Sequence, residues 1–332
     1  LDCAKSNAMT APIAVLMVFC GLLAFAQDGV RGESTPEKSK EMVALFLRFP
    51  VGRLFLYTYS DTTEVHRTYS DSSTLDYQRT VTYYISMEAT EGPRDGLTSV
   101  QVTIDSLAYS FSSGGNTITY LPGEQMPLQF PDFVAAVVPV NRQFTMYYSP
   151  YWDVAKVEGE MLDWLRSYIA EGAQQVSSFD SVQQFVWLRN ISLPVLAHYA
   201  DPQKGTLPNG RVAVDSVWNT VFTCLADGIE LRDPRSKTQI IERRGPVFVL
   251  RTTCDSLQPK SEQVKLYNIG RLVEILGGTA TCTHTIALHK AGFVESASNT
   301  LAASVTCRVR NEVFEQHIRS RTVWSLRGQY DY

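Results

Sequence analysis

Most short signatures of catalysis are missing from this 332-residue chain. No His-Glu-x-x-His occurs, which removes the commonest zinc-protease helix. No Gly-x-x-x-x-Gly-Lys-Ser/Thr occurs to cradle a phosphate, no EF-hand loop, and no Gly-x-Ser-x-Gly elbow to expose a serine. Charge is thin as well: charged residues make up 19% and the net charge is −4 with no basic block, which argues against nucleic-acid binding. Histidine is scarce, with His66, His198, His284, His289 and His317 the whole supply. Cysteine never occurs in the close pairs that a zinc module needs. The chain therefore reads as non-enzymatic, with no metal and no cofactor.

Only one long apolar run is present, Ile13–Leu23, too short to span a bilayer comfortably, which takes about 20 residues. It is followed by Ala24-Phe25-Ala26, an A-x-A cleavage pattern, and then by the polar Gln27, Asp28 and Arg31. Phe19 before Cys20 does not suit a lipoprotein signal. Residues 1–26 thus read as a secretory signal and upstream residues, with cleavage after Ala26. The expected location is secreted or periplasmic, with no transmembrane helix in the mature chain. Residues 27–40, rich in Gly, Glu, Ser, Pro and Lys, read as a mobile leader. Without the signal, four cysteines remain: Cys224, Cys254, Cys282 and Cys307. An even number in an exported chain reads as two disulfides with three connectivities, the preferred pairs being Cys224–Cys254 and Cys282–Cys307. Free thiols are the alternative.

What the chain has in abundance is alternation. Phe55, Tyr57 and Tyr59 alternate with Leu54, Leu56 and Thr58, and Val81, Tyr83, Ile85 and Met87 with Thr82, Ser86 and Glu88. A period of two predicts half-buried strands. Val100, Val102 and Ile104 keep even positions apolar, but after Asp105-Ser106 the set moves to Leu107, Tyr109 and Phe111. That one-residue slip predicts a β-bulge. Ser112–Asn116 reads as a turn. The middle changes period: Met161, Leu162, Leu165, Tyr168 and Ile169 recur at helical spacing, with Glu158 and Glu160 in the first turn and Gly172 as stop. A second helix is expected over 181–192, capped by Asp180 and ended before Pro194. The Pro/Gly-rich stretch 200–210 is the candidate boundary. Strands return from Val212, with Trp218, Thr220, Phe222 and Cys224 on one face and Phe314, Ile318, Trp324 and Leu326 on another. The fold class is mainly β with a few helices: two long-stranded antiparallel meanders of half-barrel type, over 41–205 and 206–332. A single β-barrel is the alternative, suggested by Trp324, Leu326, Tyr330 and Tyr332 on alternate positions.

Chemistry-bearing residues mostly take a structural reading. On a strand, Cys282 and His284 face one way and His289 the other, so one strand offers at most two ligands to a metal. Glu158, Glu160 and Asp163 form an acidic knot that a helix start explains. Arg243-Arg244 suits a polar turn, and Asn190-Ile191-Ser192 matches a glycosylation sequon. The aromatics Tyr57, Tyr59, Tyr83, Tyr84, Tyr109, Tyr120, Tyr147, Tyr148, Tyr151 and Trp152 crowd the first half, either as a ligand groove or as strand packing.

The order of signal, long strands, short helices, Leu207-Pro208, Val214-Asp215-Ser216-Val217-Trp218 and a second long-stranded meander resembles a group of exported bacterial proteins of unknown function. More distantly it is similar to the lipoprotein-carrier half-barrels, in which a curved antiparallel sheet wraps over helices and holds an acyl chain. The resemblance implies an envelope location and an apolar cavity. It implies no reaction and carries over no functional residue. Two functions follow as expectations: a carrier or binding protein for an apolar or lipid ligand, or a non-catalytic envelope scaffold acting on other proteins through its surface.

Overall fold

Long alternating runs make long strands. The computed structural model describes residues 41–89, 91–149, 153–175, 181–260 and 262–331. The expected signal and leader, the Asp180 cap, Tyr151 and Trp152 lie outside the described residues. In chain order the elements are β1 (Met42–Ala44), β2 (Arg53–Thr68), β3 (Thr74–Glu88), β4 (Thr98–Ser113), β5 (Asn116–Tyr120), α1 (Pro131–Val137), β6 (Gln143–Tyr148) and β7 (Val154–Glu158). Helices α2 (Glu160–Gln175), α3 (Ser181–Asn190) and α4 (Leu193–Ala200) come next. The second run of strands is β8 (Arg211–Ala213), β9 (Val217–Ala226), β10 (Ile229–Arg244), β11 (Val247–Pro259), β12 (Gln263–Lys265), β13 (Leu272–His289), β14 (Val294–Val309) and β15 (Glu312–Asp331).

The mainly β architecture holds, and its two meanders share one antiparallel sheet. Its path runs β7-β6-β4-β3-β2-β15-β14-β13-β11-β10-β9, with β5 on β4 and β12 on β13. The seam is β2–β15, paired from Arg53↔Asp331 to Thr68↔Glu315. Among the described residues no ladder joins β7 to β9, so the sheet is not closed into a barrel. It does curl: α4 packs against both β7 and β9, the two ends of the path. A separate small ladder pairs β1 with β8.

Local chemistry accounts for the details. Tyr84 faces Ser106 while Ile85 faces Ile104, so Asp105 is the extra residue of a bulge where the apolar set slips. Gly114 and Gly115, both at positive φ, make the β4–β5 turn. The helix expected near 158–170 is α2, but it begins after Glu158, which ends β7, and its backbone continues through Gly172 to Gln175. A lone glycine costs a helix interior only about 1 kcal/mol, too little to end one. The second expected helix is α3. Pro194 does not close it but lies in the first turn of α4, where its missing N–H is no loss. Helix α1 opens on Pro131 in the same way and was not expected.

The structure corrects the expected disulfides and shows how the stretch 200–210 is held. The candidate boundary 200–210 is packed into the fold: Gln203 and Thr206 are fully buried, and Pro202 accepts a hydrogen bond at 3.0 Å from His284. Among the described residues, Cys224, Cys254, Cys282 and Cys307 are all buried free thiols. Register rules out the preferred pairs. Cys282 faces Leu301 on β14, whereas Cys307 lies opposite Ile275, about 20 Å along the strand. Strand β10 stands between Cys224 on β9 and Cys254 on β11. The cysteines directly opposite each other are Cys254 and Cys282.

Candidate functional site

The inner face of the curl carries aromatics at its centre. Tyr59 on β2 packs against Trp324 of β15 at 4.8 Å between ring centroids, Tyr199 of α4 at 5.5 Å and His198 at 5.7 Å. Trp324 Nε1 donates to Tyr199 O at 2.9 Å, fixing α4 inside the curl. On one side of this cluster lies a cavity of about 620 Å³. Its roof is α3, which presents Val182, Phe185, Val186 and Trp187. No residue of α3 is fully buried; from Gln184 to Asn190 the helix is half-buried. Trp187 and Leu188 of this helix also pack on the hydrophobic core. Phe130, Leu266 and Ile269 extend the apolar wall. The volume falls within the range of small-molecule sites.

The floor is charged. Arg79 of β3 reaches Asp132 at 3.2 Å and Asp227 at 3.7 Å. Burial alone would lower the Arg79 pKa, but Asp132, Asp227 and Asp61 together push it well up, so the guanidinium is charged. Each of the two paired carboxylates is held by a tyrosine: Tyr109 donates to Asp132 and Tyr77 to Asp227, both at 2.6 Å. Asp227 also accepts from Gln316 at 2.9 Å, and Gln316 in turn accepts two bonds from the fully buried Arg67 at 2.8 and 2.9 Å. The Arg67 guanidinium lies over the Phe314 ring at 5.3 Å. Asp61 differs: it accepts from Thr63 at 3.0 Å and Ser320 at 3.2 Å, and burial raises its pKa against the opposing charge of Arg79.

Behind the floor lies Lys204, buried and 4.8 Å from the centre of the Trp324 ring. Its Nζ contacts His198 Nδ1 at 3.3 Å and His198 O at 3.2 Å. Burial lowers the pKa of both groups. The Leu225 N–H also points at His198 Nδ1, at 3.4 Å. Two donors on Nδ1 leave the ring proton on Nε2. That nitrogen is buried without a partner, and His198 lines the cavity.

Of the aromatics read as a groove, Tyr59 and Tyr83 line the cavity. Tyr57, Tyr109, Tyr120 and Tyr148 are buried packing, and Tyr84 is exposed. His284 is buried against the loop at Pro202, His289 stacks on Phe293 at 4.6 Å, and His66 stacks on His317 at 6.3 Å. The acidic knot is dispersed, Glu158 pairing with Lys156 at 2.9 Å and Asp163 with Arg166 at 2.7 Å. Arg243 pairs with Glu41 and Arg244 with Glu242. Asn190 of the sequon donates to Ala135 O at 2.8 Å beside the cavity. The floor residues Asp61, Arg79, Asp132 and Asp227 were not foreseen. A signal for two of them existed: Asp61 shares strand parity with Tyr57 and Tyr59, and Arg79 with Tyr77 and Val81, so both are charges on an apolar face.

No protein-family model matches the chain, and no curated protein matches it. Among solved structures, one of lipovitellin, titled for its lipid–protein interactions, is similar over 86% of this chain at 12% identity and a TM-score of 0.45. The chain spans about a quarter of that one, 26%. Two structures of OpdK from Pseudomonas aeruginosa, one with vanillate, match over 86% of this chain and 100% of theirs at 8% identity, each with a TM-score of 0.18. None of these three reaches a TM-score of 0.5.

Proposed function

We propose that the protein binds and carries an amphipathic ligand in the cavity beneath α3, without catalysis. The observation that carries this reading is the cavity of about 620 Å³ itself, apolar on its roof and polar on its floor. Apolar surface that lines a cavity is stabilised when a ligand covers it. A ligand with an apolar body and a polar end would match both surfaces. The apolar run Ile13–Leu23 and Ala24-Phe25-Ala26 support export as the setting. Native mass spectrometry of the purified protein, with solvent extraction, is expected to recover a bound amphiphile. A ligand-free protein that also takes up no added amphiphile would overturn the reading. The surface-acting alternative has one observation in its favour: Met161, Trp164 and Tyr168 are exposed on α2, with Trp164 and Tyr168 stacked at 5.4 Å. A ligand-free chain that crosslinks reproducibly to an envelope protein would move the assignment there.

A further inference from the structure

The polar end of the ligand can be narrowed, on the reading of the cavity as a ligand site. The cations around it already hold ion pairs or backbone acceptors. Arg79 is shared between Asp132 and Asp227. Arg189 is paired with Glu262 at 2.7 and 3.1 Å and donates to Gly228 O at 2.7 Å, which leaves only its Nε without a partner. Lys265 donates to Leu266 O at 3.0 Å and to Ile269 O. An incoming carboxylate would have to displace Asp132 or Asp227 from Arg79, and would add a negative group where three aspartates already converge.

Asp61 is the opposite case. It lines the cavity, and among the described residues no lysine or arginine nitrogen lies within 4 Å of it. Thr63 and Ser320 donate to it, and both are neutral hydroxyls. A carboxylate at the edge of an apolar space, braced by hydroxyls and with Arg79 acting on it only from beyond 4 Å, is suited to receive a cation. His198 Nε2 asks for the complement. It is a donor, its residue is 4% exposed, and it has no acceptor. The two groups are neighbours around Tyr59: Asp61 follows it by two residues on the same face of β2, and the His198 ring meets its edge at 5.7 Å.

We propose that the cavity takes a long-chain amphiphile whose head carries an ammonium beside an oxygen acceptor, the ammonium on Asp61 and the oxygen on His198 Nε2. The class is that of long-chain amino alcohols. The chain lies along Val182, Phe185, Val186 and Trp187, and the head sits at the Tyr59 end.

The test compares four amphiphiles of one chain length, below their critical micelle concentrations, on the delipidated full chain: an amino alcohol, an alkylamine, an alcohol and a fatty acid. Trp187 lines the cavity, so tryptophan fluorescence reads binding alongside calorimetry. The amino alcohol is expected to bind most tightly, about tenfold or more above the fatty acid. Asp61→Asn keeps the shape and the hydroxyl contacts and is expected to lower amino-alcohol affinity about tenfold while leaving the alcohol unchanged. The ranking on the unmodified chain stands even if the variant fails to fold. A fatty acid bound as tightly as the amino alcohol would refute the head-group assignment and leave the cavity reading intact. Failure of all four to bind would refute the cavity reading itself.

Discussion

Arg79 is the residue on which the interior charges depend. Removing it leaves Asp132 and Asp227, with side chains 19% and 4% exposed, without their cation. Arg79→Met is expected to destabilise the fold by about 3–5 kcal/mol, the range for breaking a buried pair from one side. Chemical denaturation measures it, and a loss near zero would show that the carboxylates are solvated after all. His284 makes a different demand. Burial pushes its pKa from 6.5 down to about 3. The unfolded chain binds a proton below pH 6.5 that the native chain refuses. Stability is therefore full above that pH and falls as the pH drops toward 3, by at most about 1.4 kcal/mol per pH unit for each such histidine. His198 acts in the same direction. Asp201 acts in the opposite one: burial raises its pKa from 3.8 to about 6, so below pH 6 the native chain binds a proton first and recovers some stability. A His284→Gln variant is expected to show a shallower decline between pH 6.5 and 5 than its parent. Equal slopes would mean that His284 titrates normally.

At the scale of the element, register decides what the cysteines can do. Cys254 and Cys282 face each other across β11 and β13, where opposed α-carbons lie about 4.5–5.5 Å apart, within reach of a disulfide. Under mild oxidation, mass mapping is expected to find Cys254–Cys282 and to leave Cys307 free. A Cys282–Cys307 product would require a different pairing of β13 and β14. Gly278 makes the second demand on β13. Its φ is +156°, and a Cβ there would run into Ser304 O and the Val305 backbone of β14. Gly278→Ala is expected to cost about 2 kcal/mol or more, visible as a lower melting temperature. These elements also show what was legible in advance. The strands could be read because each announces itself within a few residues, and the Asp105 bulge because parity slips there. The cysteine pairing could not, because it depends on which strands are neighbours and in what register. The charged floor was half legible: Asp61 and Arg79 sit at apolar parity, whereas Asp132 and Asp227 lie in a helix and a turn where no strand period applies.

For the whole molecule, the seam between β2 and β15 organises stability. Both strands lie mid-sheet, paired on each side, while β7 and β9 end the path. Hydrogen exchange is expected to be slowest in β2, β14 and β15 and fastest in β7 and β9, since core strands open only with the global transition. Protection highest at either end of the path would contradict this order. The seam also sets a timetable. Residues Glu312–Asp331 follow every other described strand in the chain, yet they occupy the middle of the sheet. Until they emerge, β2 and β14 are each left with an unpaired edge on a long strand, the condition that invites association with other chains. The protein cannot ripen piecemeal from its first half to its second. The sheet waits for β15, and during that wait the nascent chain depends on whatever shields those two edges.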